Sequence, residues 1–79
     1  MDWREHIHTD REILTGKPVV KGTRLAVEFL LGLLAEGWTE KQILENYPAL
    51  NHQSLQAVFA FSAEYMREEA MYAIGGETN

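Results

Sequence analysis

The chain has 79 residues, no cysteine and a formal net charge of −5 at neutral pH. A core this small is marginal by itself, so one domain supported by a second copy or another protein is expected. Disulfides and cysteine–zinc knuckles are excluded; no apolar run reaches the ~18 residues of a membrane span and nothing resembles a signal peptide, so a soluble cytoplasmic protein is expected.

The chain opens with an arm, residues 1–25. "EHIHTD" reads as a short strand with His6 and His8 on one face, "TGKP" as a turn, and "PVVKGTRL" as a second strand broken at Gly22. Two short strands are marginal in water and seek another edge. The arm is therefore expected to pair across a homodimer axis, with Val19, Val20, Phe29 and Leu33 at the interface. His6, His8 and Asp10 share the spacing of metal ligands, but no second cluster completes a site. They read as the polar face of an edge strand, and no metal or cofactor is expected. "GKPVVKGT" lacks the glycine and lysine spacing of a phosphate-binding loop.

Residues 26–74 form the expected helical core. Helix one should run from Val27 to Glu36, with Val27, Leu30, Leu31 and Leu34 on one face and Phe29 and Leu33 on its neighbour. Gly37 is placed to close it with a positive φ. Thr39 and Gln42 form a capping box for helix two, Glu40–Asn46, and Trp38 staples onto Ile43. Pro48 ends that helix. Asn51 caps helix three, which should run from His52 to Ala73 with Leu50 and Leu55 at its staple positions. Its inner stripe is expected to be Leu55, Val58, Phe59, Ser62 and Met66. Phe61, Tyr65 and Tyr72 lie to one side and could supply a partner groove or a dimer seam. Gly75 and Gly76 stop the helix, leaving 75–79 as a frayed tail.

Nucleophilic catalysis has little to work with. There is no cysteine, and Ser54 sits in the first turn of helix three, where serine satisfies free N–H groups. The protein is expected not to be an enzyme. Helix two, a turn and helix three instead fit a helix-turn-helix. Asn51, His52, Gln53 and Gln56 would present groups able to hydrogen-bond base edges. Phosphate contacts would fall to Lys17, Lys21 and Arg24, because no lysine or arginine lies between Lys41 and Arg67. Arg24 has a competing use as an ion-pair brace to Glu28.

"GKPVVKGTRLAV", "LLAEGWTEKQILENYPAL" and "LQAVFAFSAEY" together resemble a small prokaryotic family, domain of unknown function 433, over roughly residues 6–66. The resemblance implies a mainly α fold: a three-helix, homeodomain-like helix-turn-helix core preceded by a short β-hairpin arm. It also implies an antitoxin-like protein, encoded beside a PIN-like ribonuclease toxin. The expected function is to bind and neutralise such a toxin and to repress its own operon as a DNA-binding dimer. The alternative is an interaction module without a DNA role.

Overall fold

A computed structural model describes residues 1–70. The order is a 3-10 turn at Trp3–Glu5, strand β1 at Ile7–His8, a tight turn at Leu14–Gly16, strand β2 at Val19–Val20, and helices α1 (Val27–Ala35), α2 (Glu40–Asn46) and α3 (His52–Tyr65). A π-helical segment, Met66–Ala70, continues α3. The fold is mainly α with a small antiparallel hairpin. Among the described residues no helix is long and apolar enough to cross a membrane. The expected extension of helix three to Ala73, Tyr72 beside it, the stop at Gly75 and Gly76 and the tail lie outside the described residues.

Local chemistry sets the helix ends. Gly37 has φ +100°, and behind it the Gly37 N–H donates to the Leu34 carbonyl (3.0 Å) and the Trp38 N–H to the Leu33 carbonyl (3.0 Å). This paired closure satisfies the last carbonyls of α1 and needs a left-handed residue at its hinge. Thr39 Oγ1 then accepts from the Gln42 N–H at 3.1 Å while Gln42 Oε1 accepts from the Thr39 N–H at 2.9 Å. Asn51 and Ser54 make the same reciprocal box at the start of α3, at 2.8 and 3.2 Å. Serine is short for that role, which glutamate or glutamine usually fills.

The core joins the hairpin to the three helices. Leu30, Ile43, Leu55 and Val58 are fully buried, with Ile7, Val20, Val27 and Leu50 around them. Leu50 and Leu55 thus meet as a staple across the α3 cap. Trp38 is half-buried against the same cluster.

Three expectations are corrected. The buried positions of α3 are Ser54, Leu55, Ala57 and Val58, whereas Phe59 and Met66 are exposed. The buried arc of α3 is centred on Ser54, Leu55, Ala57 and Val58, and Phe59 and Met66 fall outside it. The segment "PVVKGTRL" is not one broken strand. Gly22 (φ +80°) sits at the third position of a tight turn closed by the Thr23 N–H on the Val20 carbonyl (3.0 Å), as a type II turn requires. The chain then doubles back, and Ala26 bridges Val19. Finally, the hairpin finds its cover inside the chain: β1 (Ile7↔Val20, His8↔Val19) packs on α3. Val19 and Val20 are 0% and 4% exposed, so their side chains belong to the core and are not available to a dimer seam.

The turn before β2 is strained. Leu14, Thr15 and Gly16 have φ of 49°, 55° and 90°. A β-branched residue such as Thr15 rarely adopts this region. The Ile13 and Leu14 carbonyls accept from the Gly16 and Lys17 N–H groups and hold the turn closed.

Candidate nucleic-acid and partner interface

The start of α3 presents a polar face. Burial of Ser54, Leu55, Ala57 and Val58 leaves His52, Gln53 and Gln56 exposed on the opposite side. At helical spacing His52, Gln56, Phe59 and Ala63 align in one stripe with Gln53 beside it. The 44%-exposed Phe59 therefore lies among the polar candidates. Asn51 is also exposed, but its side-chain oxygen is committed to the cap. Residues 47–51 connect α2 to α3, closed by the Leu50 N–H on the Tyr47 carbonyl (2.9 Å). The unit has the connectivity of a helix-turn-helix with the polar face on its second helix.

The electrostatics around this face are mixed. Glu40 Oε1 lies 3.7 Å from His52 Nδ1, placing a carboxylate beside the first exposed residue of α3. Lys41 is exposed on the first turn of α2. The arm cations divide. Lys17 pairs with Glu28, so the brace to α1 is made by Lys17 and not by Arg24. Lys21 and Arg24 flank the Gly22 turn, both exposed and without an ion pair among the described residues. Lys17 borders a groove with Tyr65 and Met66 at the far end of α3. At a helical rise of 1.5 Å per residue, that is about 20 Å from His52. The structure thus gathers His52, Gln53 and Gln56 but does not bring Lys17 to them.

Of the four residues expected at a dimer seam, Val19 and Val20 are buried and Leu33 packs on the core. Phe29 is the most open of the four, at 42% exposed, with its ring edge-on to Tyr47 (5.8 Å between centroids). His6, His8 and Asp10 do not converge: among the described residues no three metal-ligating side chains form a group.

A second surface lies at the other end of α3. A groove of about 370 Å³ runs between α1 and α3, lined by Val27, Leu31, Phe61, Tyr65 and Met66 among others. The aromatics Phe61 and Tyr65 had marked this side in the sequence. Trp3 had not. It packs edge-on to Phe61 at 4.8 Å, and its indole N–H donates to Glu64. No local pattern announces a contact between residues 61 positions apart.

A family model described as "Protein of unknown function (DUF433)" matches residues 7–62. The chain belongs to the DUF433 family. The matched segment takes in the hairpin, α1, α2 and most of α3. Trp3, Arg4, Glu64 and Tyr65 lie beyond it. A crystal structure of a DUF433 member protein from Anabaena variabilis ATCC 29413 superposes with a TM-score of 0.70 at 25% identity, over 82% of this chain. The DUF433 fold described above is thus shared with that protein, and the matched region is 61% of its chain. No curated protein matches this DUF433 chain.

Proposed function

We propose that this chain is an antitoxin-like binding protein. It holds a PIN-like ribonuclease in a neutral complex and, as a dimer, contacts its own operator through the start of α3. The observation that carries the DNA half is the exposed cluster of His52, Gln53 and Gln56, fixed by a capping box on the second helix of a helix-turn-helix. Glutamine can read adenine through paired hydrogen bonds, and an exposed aromatic such as Phe59 suits a thymine methyl. Lys21, Arg24 and Lys41 supply the candidate phosphate contacts. Two copies are needed because one copy carries too few cations for useful affinity. The partner class comes from the family resemblance, and the apolar groove at the far end of α3 gives a protein partner somewhere to bind.

A second reading has its own support. Lys17 is taken up by Glu28, Glu40 stands beside His52, and the chain carries −5 net charge. These favour an interaction module that binds protein alone. The deciding experiment combines two assays on the full chain: inhibition of the ribonuclease encoded beside it, and a gel shift on the DNA upstream of its gene, each with and without the ribonuclease. Inhibition with a shift supports the antitoxin-repressor. Inhibition without a shift supports the module. Neither result would remove both.

A further inference from the structure

We propose that the end of the molecule formed by Trp3, Phe61, Tyr65 and Met66 is a docking surface for an amphipathic segment of a partner protein, with apolar side chains on one face and an arginine or lysine beside them. This deepens the proposed partner binding and rests on that reading only for the partner's identity.

Two concavities meet here. The groove between α1 and α3 has an apolar floor, and its rim residues Tyr65 and Met66 are 58% and 51% exposed. Phe61 and Tyr65 are shared with a second hollow that also takes in Trp3, Glu64 and Glu68. The three rings are continuous: Trp3 stands edge-on to Phe61 at 4.8 Å, and Phe61 stacks on Tyr65 at 6.1 Å. A helix laid in such a groove is a common mode of peptide recognition. The π-helical segment begins at Met66, on the rim, and such departures from α geometry recur at functional positions.

The charged residues of the groove are the Lys17–Glu28 pair, while the hollow beside it carries Glu64 and Glu68 with Arg4, and there the chemistry favours a cation. Aromatic faces beside carboxylates attract a guanidinium or an ammonium. The chain displays this chemistry with its own residue: the Arg4 guanidinium lies 4.6 Å from the Trp3 ring centroid and 3.7 Å from Glu64. Arg4 also pairs with Asp2 at 3.6 Å, and 64% of its side chain is exposed. Glu68 is exposed and has no ion pair among the described residues. A basic residue from a partner can therefore replace Arg4 or sit beside it against Glu68.

The test titrates the full chain with a labelled amphipathic peptide of about 12 residues, with leucines on one face and an arginine flanking them at the edge of that face. Two control peptides carry glutamate for arginine or serine for leucine. The arginine–leucine peptide should bind at least about tenfold tighter than either control, with chemical-shift changes at the Trp3 indole and along Phe61–Met66. Tyr65→Ser with Met66→Ser should weaken it at least about tenfold, and both positions are exposed enough for the fold to survive. Glu68→Gln should narrow its margin over the glutamate peptide. Arg4→Ala should tighten binding by freeing the Trp3 face. Equal binding of all three peptides, or shifts elsewhere on the molecule, would overturn the proposal. So would a dimer in sedimentation that the Tyr65→Ser, Met66→Ser change dissolves, since that assigns the groove to a second copy. Failure here leaves ribonuclease inhibition and operator binding standing, and failure of those leaves peptide binding untouched.

Discussion

Gly32 and Gly37 lie five residues apart at the middle and end of α1, and the same substitution should act on them with opposite signs. A methyl group added at either meets no atom within 4 Å, so sterics with neighbours do not separate them. The backbone does. Gly32 is helical, and alanine there gains the helix propensity that glycine lacks, about 0.8–1 kcal/mol. Gly37 has φ +100°. An L-residue in left-handed geometry costs about 1–2 kcal/mol, and reduced freedom of the unfolded chain returns only about 0.4–1 kcal/mol of it. φ +100° lies well beyond the usual left-handed well, which raises that cost, so Gly37→Ala should lose about 1 kcal/mol or more. In a domain this small each kcal/mol moves Tm by about 4–8 °C, and the two variants should differ by roughly 8–16 °C. Thermal and urea unfolding followed by far-UV circular dichroism measures both. A neutral Gly37→Ala would refute the left-handed closure of α1, and a destabilising Gly32→Ala would show that α1 has a close neighbour at that position.

Other substitutions separate core, arm and interface. Leu30 is fully buried between the helices, and Leu30→Ala should cost about 2–5 kcal/mol in denaturant unfolding, enough to threaten a fold of this length. Lys17→Ala breaks an ion pair whose side chains are 55% and 66% exposed, so it should cost no more than about 1 kcal/mol, while Arg24→Ala should leave Tm unchanged. The Nε2 of His8 is buried with no hydrogen-bond partner among the described residues, and an unmet buried group of this kind costs about 1–3 kcal/mol. His8→Phe should therefore be neutral or stabilising; a clear loss of Tm would show that the nitrogen has a partner.

What could be read in advance follows the range of the interactions involved. The end of α1, the limits of α2 and the start of α3 were legible because caps act within a few residues: Gly37, the Thr39–Gln42 box and Asn51 each act on the adjacent turn. The arm was less legible. Its valines look like an unpaired edge until α3 and Ala26 are brought over them, and those contacts depend on the whole fold. The facing of α3 was misjudged at Phe59 and Met66 because large apolar residues occupy two adjacent faces. Ser54 and Ala57, which carry little hydrophobic signal, lie on the face that goes inward. At the candidate sites the polar cluster of His52, Gln53 and Gln56 was legible from cap and spacing. The pairing of Lys17 with Glu28 and the seat of Arg4 over Trp3 required the tertiary structure.

The most direct test of the proposed antitoxin-repressor account is fluorescence anisotropy on DNA from upstream of the gene, across a salt series, with and without the proposed PIN-like ribonuclease partner. Wild-type chain should bind that DNA more tightly than unrelated sequence. Lys21→Ala and Arg24→Ala should weaken binding to both alike and lower the salt slope by about one unit per lost contact. Gln53→Ala or Gln56→Ala should instead erode discrimination by about 1–3 kcal/mol per lost base contact with little change in slope. No binding at low salt, even with the ribonuclease present, would contradict the operator role and leave a protein that works by protein contacts alone.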